Sequence, residues 1–328
     1  MQQLAYFEYL KEFYPQYINH YTKRKKSKNF IVNEFSSHTE DSYRIEIQQK
    51  DIIAKRFLEQ YINDLISKEV FPLFNKIEIE TINQCNNTCM FCPVSVKHDV
   101  RKHMVMPMEL YKKIIFELAD LNYQDTINIF SNNEPLLDPF LIERLQFTRE
   151  HLPSAYIFIY TNGLLLTPEK LMQILLYVDF IHINNYNTLP QLLPTHKDIQ
   201  ECLIQNHISE NKAEIHLRNK NECLSTRCGN SPNRKKCAKL SSPCILPFSQ
   251  IVIRPSGDVS FCCNDAYGEF TRGSVISNSL SDIWYGKSFK ESRDSCIKGR
   301  LTQMPCSVCD MLFMPLACEK NQTKVVDI

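Results

Sequence analysis

The run Lys76-Ile77-Glu78-Ile79-Glu80-Thr81-Ile82 leads, two residues later, into Cys85-Asn86-Asn87-Thr88-Cys89-Met90-Phe91-Cys92. The first stretch reads as a β-strand. The second is a loop with cysteines spaced C-x3-C-x2-C. Iron–sulfur clusters normally take four cysteine ligands, so a compact loop of three thiolates suits a four-iron cluster with one iron reserved for a group that binds reversibly, a substrate or a cofactor. A zinc loop or three buried structural thiols would use the same residue type. Choosing between these readings depends on the rest of the chain.

Composition sets the frame. The chain has 328 residues, a formal charge of +1 and fourteen cysteines. That length allows two domains and a sizeable core, and the balanced charge argues against a nucleic-acid binder. Met1 to Leu10 contains Gln2, Gln3 and Glu8 and no sustained apolar stretch, so no secretory signal is expected. The cysteines are then read as reduced and partly metal-bound in a cytoplasmic protein. No apolar run approaches the roughly 18–20 residues that cross a bilayer, so membrane insertion is not expected.

Residues 1–75 are aromatic-rich and charged. They include a basic run, Lys23-Arg24-Lys25-Lys26-Ser27-Lys28, read as a solvated loop, and an expected helix from about Asp51 to Lys68. From Lys76 onward, short β-type runs alternate with amphipathic helical stretches. The strand-like pieces are 76–82, 126–130, 155–160, 178–183 and 213–217; the helical ones lie near 108–120, 139–150, 168–176 and 197–207. Repeated β-α units imply a parallel sheet with helices outside. Right-handed crossovers curl such a sheet into a full or partial barrel whose chemistry sits at the C-terminal strand ends, which is where the cysteine loop lies.

The cysteine loop, with the aromatic Phe91 just before its last cysteine, resembles the signature of the radical S-adenosylmethionine (radical SAM) superfamily. The resemblance implies an α/β fold built on a partial (β/α)6 barrel, with a [4Fe-4S] cluster on Cys85, Cys89 and Cys92. It also implies SAM bound to the free iron and cleaved to methionine and a 5′-deoxyadenosyl radical that abstracts hydrogen from substrate. Ser131-Asn132-Asn133-Glu134-Pro135 resembles the family's Gly-Gly-Glu-Pro segment, which meets the SAM amino group. Asn132 and Asn133 stand where the family has glycine. Asparagine is among the few other residues that visit positive φ, so the backbone route is expected to survive, with Glu134 as a charged acceptor. By the same resemblance Phe91, Asn162 and Asn184 lie against SAM, and Arg218 pairs with its carboxylate. Leu224 to Asn230 resembles an Arg-Gly-Asn-type loop of auxiliary-cluster enzymes and would aim Arg227 at substrate or SAM.

The C-terminal cysteines give a second pattern. Cys244 precedes a strand-like run, 250–254; a turn at Pro255-Ser256-Gly257-Asp258 reverses the chain, and the return run ends at Cys262. Cys306-Ser307-Val308-Cys309 follows a helical stretch. A hairpin base and a C-x2-C loop can close a four-thiolate set around a metal centre. The order resembles the SPASM and smaller twitch domains of radical SAM enzymes, implying one auxiliary [4Fe-4S] cluster on Cys244, Cys262, Cys306 and Cys309; a structural zinc would use the same four. Full SPASM domains continue with two further cysteines, but here Pro315 stands at the first of those positions and only Cys318 follows. Cys262 and Cys263 cannot both face one centre from a strand, because successive side chains alternate.

The chain thus divides into an N-terminal extension of unassigned role (1–75), a barrel (76–243) and an auxiliary-cluster domain with its tail (244–328). An auxiliary cluster without an open iron suggests electron transfer, and Cys262-Cys263-Asn264-Asp265 looks similar to twitch-type dehydrogenases. The expected activity is oxidation of a carbohydrate or cyclitol alcohol, with a flavodoxin or ferredoxin as reductant. The alternative is a maturase that crosslinks, epimerises or oxidises a ribosomally made peptide. Arg227 or a histidine would serve as base, and Cys228 would be the hydrogen-atom donor of an epimerase-type reaction.

Overall fold

Five segments share an x-Ile-x-Ile pattern: Ile77/Ile79, Ile127/Ile129, Ile157/Ile159, Ile181/Ile183 and Ile251/Ile253. Each of these isoleucines is fully buried. In the computed structural model, which describes residues 32–302 and 304–314, they pack in one core with Tyr111, Ile114, Leu145, Leu171, Ile174 and Ile199 of the surrounding helices. Each isoleucine buried in this way is worth about 1.5–3 kcal/mol. Because strand side chains alternate, the residues between them, such as Glu78, Asn128, Phe158 and His182, face the other side and line the concave interior. Ring contacts along that face, Phe158–Phe180 at 5.6 Å and Tyr160–His182 at 4.8 Å, run from strand to strand.

The strands are β1 (Val32–Ser36), β2 (Lys76–Ile79), β3 (Thr126–Asn128), β4 (Tyr156–Thr161), β5 (Phe180–Asn187), β6 (Ala213–Asn219), β7 (Gln250–Ile253), β8 (Asp258–Ser260) and β9 (Thr271–Ser274). The helices are α1 (Glu40–Ile66), α2 (Met108–Asp120), α3 (Leu141–His151), α4 (Pro168–Leu175), α5 (Pro194–Gln205), α6 (Leu280–Tyr285) and α7 (Lys287–Lys298). The sheet order is β1-β6-β5-β4-β3-β2-β7-β8-β9. From β1 to β7 every neighbouring pair is parallel, and β8 and β9 turn back antiparallel. The α/β partial barrel is as expected; the differences lie at its edges.

At one edge, β1 comes from the segment read as an extension and takes the place beside β6, pairing Val32 with Ile215 and Ser36 with Arg218. At the other edge, β7 pairs in parallel with β2, Ile77 opposite Ile251, so the sheet crosses the expected boundary at residue 243. The hairpin β7–β8 turns at Gly257, whose φ of +85° suits glycine. Helix α1 starts at Glu40, earlier than expected, behind a Thr39/Ser42 capping box. It packs Ile47, Ala54, Leu58 and Ile62 against Leu240, Ile245 and Leu312. The basic run at 23–28, Pro315 and Cys318 lie outside the described residues.

Candidate active site

The first cysteine loop is strapped down along its length. Met90 N–H donates to Lys220 C=O (3.0 Å), Val96 N–H to Asn87 C=O (2.9 Å) and Glu134 N–H to Gln84 C=O (2.8 Å). Ser231 Oγ holds Phe91 C=O at 2.9 Å. Cys89 is buried and Cys85 and Cys92 are half-buried. Burial pushes the Cys85 thiol up to about 12, with smaller contributions from Glu134 and Cys92, and pushes Cys89 and Cys92 up as well. Iron binding therefore displaces protons from thiols that are neutral without metal. Among the described residues, no three His, Cys, Asp or Glu side chains meet as tightly as around a single ion.

The polar groups expected at the strand ends gather beside this loop. Asn162 donates through Nδ2 to Asn86 Oδ1 (2.7 Å) and approaches Cys85 Sγ (3.8 Å). Phe91 lies 5.8 Å from the Tyr186 ring. Asn184 meets His182 Nε2 through its side chain (3.3 Å), and its carbonyl, like that of Asn162, accepts from His196. Asn133 Oδ1 accepts from Ser131 N–H (2.9 Å), while its buried Nδ2 has no partner among the described residues. Arg218 pairs with Glu222 (2.9 Å) and reaches His216 (3.5 Å).

Glu134 differs from the expectation of a free acceptor. Its carboxylate already takes Thr161 Oγ1 (2.6 Å), Leu136 N–H (3.0 Å) and Asn162 N–H (2.7 Å). It clamps the 131–136 turn to the end of β4, and burial pushes its carboxyl up to about 7. Asn132 also does more than replace glycine. Its Nδ2 donates to Cys263 C=O (2.9 Å) and its Oδ1 accepts from Arg227. Arg101, invisible to the sequence reading, bonds Glu80 (2.9 Å), Asn132 C=O (2.9 Å) and Ala266 C=O (3.3 Å), and Arg254 takes the other Glu80 oxygen (2.9 Å). This buried network joins the SAM-side loops to the auxiliary segment.

Arg227 is half-buried beside the auxiliary segment. Its guanidinium donates to Asn132 Oδ1 and to Cys263 C=O (3.4 Å). It remains a cation and cannot serve as the proton acceptor considered above. Among the histidines, His196 is occupied by two backbone carbonyls and burial lowers its pKa. His182, on the barrel's inner face, has Nδ1 held by Glu214 at 2.8 Å.

The C-terminal cysteines converge as expected. Cys244, Cys262, Cys306 and Cys309 line one cavity with Arg300 and Asn264. Arg300 bonds Ser242 C=O (3.0 Å), Pro243 C=O (3.3 Å) and Met311 C=O, tying together the chain flanking both ends of the set. Among the described residues both polar atoms of the buried Asn264 amide lack partners, and the Asn264 N–H donates to Cys262 Sγ at 3.3 Å. Four thiols, a cation and N–H donors suit an anionic, sulfur-rich group. Cys228 lines this same cavity, beside Cys262 and Cys309.

The geometry agrees with two family models, the radical SAM superfamily over residues 79–185 and the SPASM iron–sulfur cluster-binding domain over 244–310. The chain belongs to the radical SAM superfamily and is an oxidoreductase carrying a SAM-binding [4Fe-4S] cluster, SAM and an auxiliary iron–sulfur centre. One relative, the S-adenosyl-L-methionine-dependent 2-deoxy-scyllo-inosamine dehydrogenase of Niallia circulans, is 30% identical over 227 residues, spanning 69% of this chain and 88% of that protein. The crystal structure of BtrN in complex with AdoMet and 2-DOIA superposes with a TM-score of 0.64 at 25% identity, covering 78% of this chain and 98% of that one. The structure of anSMEcpe with bound AdoMet, at TM-score 0.51 and 12% identity over 69% of this chain and 81% of that one, shares the fold. Among the described residues no helix is long and apolar enough to cross a membrane.

Proposed function

We propose that this enzyme oxidises a secondary alcohol of a cyclitol to a ketone, as the likeness to 2-deoxy-scyllo-inosamine dehydrogenase suggests. The observation in this chain that carries the reading is the seat of Arg227, whose guanidinium joins Asn132 of the SAM-side turn to Cys263 C=O (3.4 Å) of the auxiliary segment. When bound, the SAM-side cluster with SAM would supply radical abstraction of hydrogen from the alcohol carbon, and an auxiliary cluster would supply an acceptor for the second electron. Cys85, Cys89 and Cys92 hold the first cluster; Asn133, Asn162, Asn184 and Arg218 bind SAM. Arg227, fixed by Asn132, binds the substrate oxygen as a cation and stabilises charge developing there. The reductant is a small electron-transfer protein such as a flavodoxin or ferredoxin, and the reaction takes place in the cytoplasm.

The test is turnover of 2-deoxy-scyllo-inosamine deuterated at the reacting carbon by anaerobically reconstituted enzyme. One ketone per 5′-deoxyadenosine, with deuterium in the nucleoside, supports the reading. Nucleoside without ketone or deuterium across a panel of cyclitols rejects it.

A further inference from the structure

The auxiliary cavity holds more sulfur than four irons require. Cys228 lines it together with Cys244, Cys262, Cys306 and Cys309. Its thiol contacts Cys262 and Cys309, and the residue is 6% exposed.

The backbone is arranged to put it there. Arg227 and Cys228 both take left-handed conformations, with φ of 49° and 56°, and Gly229 follows at 87°. Non-glycine residues rarely adopt this region, and holding two in succession there requires the surrounding structure to impose it. The turn is pinned to the C-x2-C loop: Thr226 N–H donates to Asp310 (2.7 Å) and Thr226 Oγ1 to Val308 C=O (2.7 Å). As a result, consecutive side chains diverge, Arg227 toward Asn132 and Cys228 into the auxiliary cavity.

We propose that Cys228 is a replacement ligand of the auxiliary cluster, able to take the iron of Cys262 or of Cys309. The exchange is redox-neutral: one iron–sulfur bond breaks, one forms, and the proton leaving Cys228 passes to the departing thiolate. The auxiliary centre thereby keeps four thiolates when either of those two ligands is displaced. The inference rests on the reading of this site as an iron–sulfur cluster.

The test compares full-length wild type with Cys228→Ala, Cys262→Ala, Cys309→Ala, Cys244→Ala and the doubles Cys262→Ala/Cys228→Ala and Cys309→Ala/Cys228→Ala. Each is reconstituted anaerobically and read by iron and sulfide content and by EPR after reduction. Wild type, Cys228→Ala, Cys262→Ala and Cys309→Ala should each hold about eight irons, and both doubles should fall toward Cys244→Ala, near about four. The irons on the first loop report that each variant is folded. Singles at Cys262 and Cys309 that match their doubles overturn the proposal, as does loss of auxiliary iron in Cys228→Ala alone, which would make Cys228 a permanent ligand. A wild type with only about four irons would overturn the auxiliary cluster itself, and the exchange with it.

Discussion

The two cysteine centres are built from contrasting surroundings. Around Cys85, Cys89 and Cys92 stand side-chain amides, a guanidinium and a buried N–H without a protein partner among the described residues, gathered at the open ends of barrel strands. Around Cys244, Cys262, Cys306 and Cys309 stand a further thiol, Leu246, Phe261, Phe313, the Asn264 amide and one clamped arginine. The first environment suits a polar ligand that arrives and leaves. The second supplies enough thiols to close a cluster completely, which favours electron transfer. Arg227, Asn132 and the Arg101–Glu80–Arg254 network join the two, so a substrate held at Arg227 sits within reach of both chemistries.

The most severe break in this division of labour is the triple change Cys85→Ala/Cys89→Ala/Cys92→Ala. It should abolish 5′-deoxyadenosine formation and remove about four of about eight irons while leaving the auxiliary signal; residual SAM cleavage would contradict the assignment of the two sites. Arg227→Ala should next uncouple them, lowering ketone formation by about 10²–10³-fold with nucleoside still produced. Arg227→Lys should recover part of the rate, and an equal loss of both products would point to a collapsed site.

Glu134→Gln sharpens the same comparison on the SAM side. Gln presents an NH2 group to the Asn162 N–H and cannot accept all three bonds, so unfolding free energy should fall by about 1–3 kcal/mol, measured by urea titration, and SAM should bind more weakly by equilibrium dialysis. Unchanged stability would mean the carboxylate is not the clamp described. At Gly163, φ is +70° and an added Cβ would lie 2.6 Å from His196 Nε2 and 2.9 Å from Ile183. Gly163→Ala should therefore cost about 1–3 kcal/mol and weaken SAM binding while sparing auxiliary iron.

The smallest effect concerns the edge strand β1. Hydrogen bonds to Glu222 and then Glu46 raise the His38 pKa to about 9, against about 6.5 when unfolded. A raised histidine pKa stabilises fully below the unfolded value and loses that contribution as pH rises through the folded one. Protease cleavage around residues 32–38 should thus increase between pH 7 and 10 more in wild type than in His38→Gln; identical profiles would remove His38 from the docking of β1.

Much of this was legible in the chain because the relevant information is local. Cysteine spacing within eight residues, the Gly257 turn and the β-α alternation each constrain their own segment. The x-Ile-x-Ile pattern was equally available and would have identified the inner face, with His182 and Glu78 on it, before any coordinates. What could not be read locally depended on distant partners. β1 is a strand because β6 offers it an edge. Cys228 reaches the auxiliary cavity because Thr226 bonds Asp310 across 84 residues. Glu134 ceases to be a free acceptor because the end of β4 supplies two of its three donors.

The division of labour is tested most directly by EPR of the reduced, reconstituted enzyme with and without SAM, alongside the Cys85→Ala/Cys89→Ala/Cys92→Ala variant, which carries only the auxiliary centre. Two cluster signals in wild type, of which SAM shifts only the one missing from the variant, is the predicted result. A SAM-induced shift in the variant's own signal, or one cluster in place of two, would contradict it.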